Sequence, residues 1–355
     1  MTRRRSSASW SKLFTRNVAT LTRITMGAGS RSLSQALAPA LAKQKAPVGQ
    51  GDWLPGVAIG PIGVQRYRVF RPPAVKFGER LPMVVMLHGC SQDAKSFAAS
   101  TRMNVVAARE RFLVLYPEQS RLSNVQGCWN WFDVKSGRAY GEAALIMLAI
   151  NQACLLYSGD RERVTVAGLS SGASMAALLV TRYPERFRAI TMHSGIAPGT
   201  AHSTLSAVGA MYGQRSPKPL RVTPTAMAAA WPPLMVIQGG MDAVVSAKNG
   251  RAAVQVWADA SGALAATERT VQRGNRYPMT VTDFKKGSAT MATLVQIGRL
   301  GHAWSGGASN EHFSDRLGPD ASRMVWGFAS KQFGDTGSSR RASPQQGKAT
   351  RIARI

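Results

Sequence analysis

The chain is 355 residues long, enough to bury the core of one large domain or of two smaller ones. Its 45% hydrophobic content is ordinary for a globular protein, no apolar run reaches the ~18–20 residues that span a bilayer, and three cysteines (Cys90, Cys128 and Cys154) are too few for a disulfide scaffold. The formal charge of +27 is unusual and uneven: residues 1–50 hold nine Lys/Arg and no acid, residues 334–355 five Lys/Arg and one Asp, and the stretch between them 31 basic against 17 acidic residues. Such a balance favours anionic surfaces without selecting one.

Residues 1–50 read as a separate basic region. Arg3-Arg4-Arg5 precedes Trp10, Leu13, Phe14, Val18, Leu21 and Ile24, whose spacing places them on one helical face, while Lys12, Arg16 and Arg23 fall elsewhere. This predicts a basic amphipathic helix over 9–26, suited to an interface; a helix packed on the domain, or a tail, is the competing reading. A linker over 27–50 follows, rich in Gly, Ser, Ala, Pro and Lys. Lys12, Arg16, Arg23 and Arg31 interrupt every possible hydrophobic core of a secretory signal.

The domain proper is expected over 51–333. The alternating run 64–70 reads as a half-exposed strand stopped by Pro72-Pro73, and the continuous apolar run 82–87 as a central buried one. Helical spacing over 97–110 leads to a strand at 112–116, closed by Pro117. A long aromatic loop, Gly127-Cys-Trp-Asn-Trp-Phe132, precedes a helix over 142–156, whose apolar face takes Cys154 into the core. A strand over 163–167 and a helix from Ala173 flank Gly168-Leu-Ser-Ser-Gly172. Further strands are expected at 187–192, 233–238 and 293–297, helices at 246–261 and 322–333, a hairpin at 268–286, and loop with short helix over 197–231. The alternation implies an α/β fold with a mainly parallel central sheet and helices on both faces. Residues 334–355 read as a disordered basic tail.

Strand, Gly-x-Ser-x-Gly, helix is the pattern of a serine exposed on a sharp, strained turn, where residues two away must be almost free of side chain. The five residues alone are a weak signal, so the case rests on whether a base, an acid and oxyanion donors follow in workable order. Ser170 ends one strand, Asp242 lies four residues beyond the strand at 233–238, and His302 five beyond that at 293–297. Of the five histidines, only His302 follows a late strand in a glycine-flanked loop. His88 precedes the oxyanion turn, His193 is upstream of any candidate acid loop, His202 is in the irregular region, and His312 follows no strand directly. Asp259 and Asp283 fall within a helix and the hairpin; Asp315 and Asp320 come after the histidine and break the order. The expected oxyanion donors are the backbone N–H groups of Cys90 and Ser171. Cys90 has no neighbour that resembles an activating pair for a nucleophile. Trp129, Trp131 and Trp304, in loops flanking the site, are expected to form an aromatic floor for an apolar acyl chain, with loop packing as the alternative. No metal-ligand spacing occurs, and neither a metal nor a cofactor is expected.

Five motifs, His88-Gly-Cys-Ser-Gln92, Gly127-Cys-Trp-Asn-Trp-Phe132, Ala167-Gly-Leu-Ser-Ser-Gly-Ala-Ser-Met175, Gly239-Gly-Met-Asp242 and Gly301-His-Ala-Trp-Ser-Gly-Gly307, occur in order. Together they resemble the esterase, poly(3-hydroxybutyrate) (PHB) depolymerase family, which is similar to feruloyl and acetylxylan esterases. The resemblance covers about residues 55–333 and departs at Gly239-Gly-Met, where relatives often carry His-Gly-Thr-like residues. It implies an α/β-hydrolase fold with Ser170 as nucleophile, Asp242 as triad acid and His302 as base, acting on esters of hydroxyalkanoates or other short acyl groups. It also implies that Cys90 and Cys128 can pair, as their equivalents do in some relatives. A feruloyl or acetylxylan esterase, or an acyltransferase, shares the same triad. A binding protein for granules or nucleic acid on an inactive hydrolase fold has only the charge in its favour, and nucleic acid is not an expected partner. Docking of residues 1–26 on a polyester granule or anionic surface would suit a cytoplasmic or granule-associated protein; an extracellular location is the alternative, since the family includes secreted members.

Overall fold

Strand β3 (Leu81–Leu87) has all seven residues buried, and its neighbours explain why. In a computed structural model of the chain, which describes residues 47, 49–218 and 231–334, it lies inside an 11-stranded sheet of order β1-β2-β4-β3-β5-β6-β7-β11-β10-β8, with β9 paired to β10. The strands are β1 (Asp52–Gly60), β2 (Gly63–Arg71), β4 (Leu113–Glu118), β5 (Gly159–Leu169), β6 (Ala189–His193), β7 (Leu234–Gly239), β8 (Leu264–Ala265), β9 (Arg269–Val271), β10 (Met279–Lys286) and β11 (Ala289–Ile297). The six central strands from β4 to β11 are parallel. The outer pairings, β1 with β2, β2 with β4, and β10 with β11, β8 and β9, are antiparallel. A parallel centre needs both faces covered, which is why β3, the carboxyl-terminal half of β5, β6 and β7 are buried.

Side-chain alternation divides the core in two. Met83, Val85 and Leu87 face one cluster with Ile146, Leu179 and Trp257. That side is covered by α3 (Arg138–Leu156), α4 (Ser171–Arg182) and α6 (Lys248–Ser261). Val84 and Met86 face the other cluster, with Phe97, Val106 and Val325, under α1 (Ala94–Thr101), α2 (Met103–Glu110) and α7 (Ala321–Ser330). Each fully buried Leu, Val or Met contributes about 1.5–3 kcal/mol relative to exposure. Helix α5 (Thr204–Met211) lies in the irregular stretch after β6. Two short strands, β12 (Trp304–Ser305) and β13 (Ser314–Asp315), form a separate ladder.

Several expectations are adjusted. The helix expected at 97–110 is two helices broken at Arg102, which takes a left-handed conformation (φ 56°). Pro117 does not close β4: it pairs with Tyr67 inside the strand. The hairpin at 268–286 exists as β9 and β10, but β10 makes its long pairing with β11. The nine-residue β1 was not foreseen beyond a domain start at residue 51. Helix α3 is long and apolar enough to pass for a membrane span, yet Ile146, Ala149, Ile150 and Cys154 are buried among core residues, as is the carboxylate-bearing Glu142. The amphipathic helix expected at 9–26, the linker apart from residues 47, 49 and 50, and the tail beyond Gly334 lie outside the described residues.

Candidate active site

Ser170 follows the last residue of β5 and caps α4 with φ 56° and ψ −121°, a conformation that strains any L-residue. Its N–H donates to His193 O at 2.9 Å, which fixes the turn to β6. The flanking glycines are required by space. A Cβ on Gly168 would collide with the carbonyl of Gly172, and one on Gly172 with the Leu87 carbonyl oxygen. The elbow helix therefore starts against the end of β3. Ser171 is the first residue of α4, so its N–H has no acceptor within the helix. Oriented first-turn amides of this kind favour an anion.

Asp242 lies in the turn after β7. Its Oδ1 accepts from the N–H groups of Val244 (2.9 Å) and Val245 (2.8 Å), and its Oδ2 lies 2.8 Å from His302 Nδ1. Burial pushes its carboxyl up. The hydrogen bond and charge of His302 and the two amides outweigh burial and leave it below the ordinary carboxylate range. The side chains of Asp242 and His302 are 0% and 10% exposed. A carboxylate on Nδ1 fixes the ring tautomer with Nε2 free to accept a proton.

The loops carrying the acid and the base are stitched together. Gly240 N–H donates to Ile297 O (2.9 Å) and Met241 N–H to Leu300 O (3.0 Å). A Cβ on Gly239 would meet the carbonyl oxygens of Leu300 and Gly301. The Gly-Gly pair noted from sequence thus serves close approach of two loops. Since β5, β6, β7 and β11 are consecutive parallel neighbours, Ser170, Asp242 and His302 follow the carboxyl ends of strands on one edge of the sheet, where open α/β sheets place their sites.

On the opposite flank, Cys90 follows β3 and is bonded to Cys128. The Ser171 hydroxyl lies 3.4 Å from Cys90 Sγ, so it donates to the disulfide. The disulfide ties the turn expected to hold an oxyanion amide to the aromatic loop. That loop is held from below: Asn130 donates its N–H (2.8 Å) and side-chain amide (2.5 Å) to Glu142 of α3. Burial raises the Glu142 carboxyl above its ordinary value despite these bonds. His88 Nε2 accepts from Gln119 N–H (3.0 Å), and burial pushes the imidazole down to about 4, so it stays neutral.

The tryptophans are the correction. Trp129 and Trp304 are 0% exposed and Trp131 is 7% exposed. Trp129 Nε1 donates to His88 O (3.1 Å) and Trp304 Nε1 to Ser322 Oγ (3.1 Å). Indoles with satisfied N–H groups in the interior are packing elements, so Trp129 and Trp304 form no surface for an acyl chain. His193, set aside as a base, is buried between the serine turn and the histidine loop. Its place at the end of β6 was visible in the sequence; its contact with Ser305 was not.

The structure joins Asp242 to His302 and sets both on the sheet edge that carries Ser170. The strand order and the elbow define an α/β-hydrolase. The sequence model of the family described as "Esterase PHB depolymerase" matches residues 65–276, which take in Ser170 and Asp242, and the chain belongs to that family. It is 37% identical over 107 residues to poly(3-hydroxyalkanoate) depolymerase C of Paucimonas lemoignei, across 30% of this chain and 26% of that one. It is 32% identical over 151 residues to feruloyl esterase B of Neurospora crassa, across 42% of this chain and 51% of that one. The chain thus spans about half or less of the length of these two relatives. Acetyl xylan esterase from Aspergillus awamori has the same fold, with a TM-score of 0.54 at 19% identity over 71% of this chain and 94% of that one.

Proposed function

We propose that the protein is a serine carboxylesterase that hydrolyses short-chain acyl or hydroxyalkanoate esters through an acyl-enzyme. Ser170 is the nucleophile, His302 the base and Asp242 the residue that holds the imidazole. The backbone N–H groups of Cys90 and Ser171 receive the oxyanion. The observation that carries this reading is the buried 2.8 Å Asp242–His302 pair on the same sheet edge as a serine in a strained turn.

Ser170 Oγ attacks the ester carbonyl as His302 Nε2 takes its proton. The imidazolium then protonates the leaving alkoxide, and water attacks the acyl-enzyme by the same route in reverse. The amide at the start of α4 sits where the oxyanion forms, and such donors are worth about 3–4 kcal/mol each. Family membership supports esters as the substrate class; similarity to a poly(3-hydroxyalkanoate) depolymerase supports hydroxyalkanoate esters, and similarity to acetylxylan esterases supports short acyl groups. The Cys90–Cys128 disulfide favours an oxidising compartment over the cytoplasm. Docking of residues 1–26 on a polyester granule rests on charge and spacing alone.

The test is hydrolysis of p-nitrophenyl esters from acetate to octanoate, beside 3-hydroxybutyrate oligomers, with Ser170→Ala as control. Turnover that declines with chain length and is lost in Ser170→Ala is expected. Turnover that survives Ser170→Ala removes the assignment.

A further inference from the structure

His193 is the last residue of β6, and its two ends serve two loops. Its backbone oxygen accepts from Ser170 N–H at 2.9 Å. Its ring, fully buried, accepts at Nε2 from the N–H of Ser305 at 3.2 Å, three residues beyond His302. The ring also stacks on Trp304, with centroids 5.1 Å apart and planes 27° from parallel. One residue therefore touches the backbone of the serine turn and of the histidine loop.

The geometry also sets the ring's protonation state. An Nε2 that accepts from a backbone amide puts the proton on Nδ1, 3.3 Å from Ser194 Oγ. Burial first, and the charge of His302 second, push the imidazole down to about 3, with Asp242 acting the other way. Asp242 and His302 are thus the charged groups within reach of the ring. A second cation next to a developing imidazolium would oppose proton transfer; a neutral acceptor does not. The turn beyond is fastened to the elbow helix as well, because Ile196 N–H donates to Ser174 Oγ at 2.8 Å.

From this we infer that His193 is a positioning residue: as a neutral acceptor it holds the His302 loop in register with the Ser170 turn. The inference rests on the proposed triad for its catalytic meaning, though the clamp on Ser305 can be read without activity. A satisfied buried hydrogen bond rigidifies the loop whose amide it holds. Misplacement by about 1 Å costs on the order of 100-fold in rate.

The experiment compares His193→Phe, which keeps a ring against Trp304 but has no acceptor, with His193→Gln, whose amide oxygen reaches the place of Nε2. Thermal unfolding of both variants is measured alongside. His193→Phe is expected to lower kcat on a p-nitrophenyl ester by roughly 10- to 100-fold with KM near wild type. His193→Gln should recover most of that loss. Hydrogen exchange of the Ser305 amide should be at least about tenfold faster in His193→Phe and restored in His193→Gln. Equal kcat in both variants, whether wild-type or equally reduced, overturns the positioning role, since an acceptor would then make no difference. If wild type itself shows no Ser170-dependent turnover, the esterase reading fails instead. The Ser305 exchange then decides the clamp alone, and protection unchanged in His193→Phe overturns it.

Discussion

Two walls flank Ser170, and they are held by different means. The wall from His88 to Phe132 is fixed by a disulfide, by Glu142 beneath Asn130, and by the buried indole of Trp129 on His88 O. What it offers the reaction is a backbone amide, so covalent and buried fastening suits it. The wall from Gly239 to Ser305 is fixed by backbone bonds between two loops and by glycines that let them touch. It presents the side chains of Asp242 and His302, hydrogen-bonded to each other, with only 10% of the His302 side chain exposed. In the proposed mechanism the first wall places the oxyanion and the second wall's Asp242–His302 pair activates the serine.

The largest expected effect separates the walls by chemistry. Asp242→Asn should lower kcat by about 10^3–10^4-fold, because the amide leaves the ring of His302 in the wrong tautomer. His302→Ala should cost at least as much, and the double variant little more than His302→Ala alone, since the pair acts as a unit. Steady-state kinetics with active-site titration checks this; additive losses would separate the two residues.

Acid should weaken both walls. His88 and His193 have native pKa values pushed down to about 4 and about 3, below the ordinary 6.5. Below pH 6.5 the unfolded chain therefore binds protons that the native protein does not, and stability falls as pH falls. By pH 4 the loss is on the order of 3 kcal/mol for each histidine. Asp242, depressed by its partners, adds a further loss once the pH passes below the ordinary carboxylate range. Urea unfolding between pH 7 and 4 measures the slope; a flat profile would contradict the buried neutral histidines.

Breaking the disulfide should touch only the first wall. Cys128→Ala, with Cys90→Ala to avoid a stray thiol, should cost about 2–4 kcal/mol of stability. Activity at a temperature where the variant is folded should stay within about tenfold, because the proposed oxyanion donor is backbone. Denaturant unfolding and kcat together check it. The smallest effect is expected for Trp129→Phe: loss of the bond to His88 O should cost about 1–2 kcal/mol, with KM for short esters unchanged. A raised KM would return Trp129 to the substrate.

Much of this was legible in the sequence, for reasons that particular residues make plain. Ser170 could be found because the strained turn demands glycine at 168 and 172, and glycine leaves a mark in sequence. Asp242 and His302 could be found because each follows a buried strand by a few residues, and strand order sets who meets whom. The tryptophans misled because loop position says nothing about depth: Trp129 and Trp304 turn inward to satisfy their indole N–H groups. His193 escaped because its use depends on a contact with Ser305, 112 residues away. The break at Arg102 escaped because a left-handed arginine has no sequence mark of its own.

Whether Ser170 is the residue that is acylated can be read by mass spectrometry of the protein treated with a fluorophosphonate probe. One adduct per chain is expected, mapped to the peptide holding Ser170, absent from Ser170→Ala and strongly slowed in His302→Ala. An adduct on another residue, or none on folded wild-type protein, would contradict it.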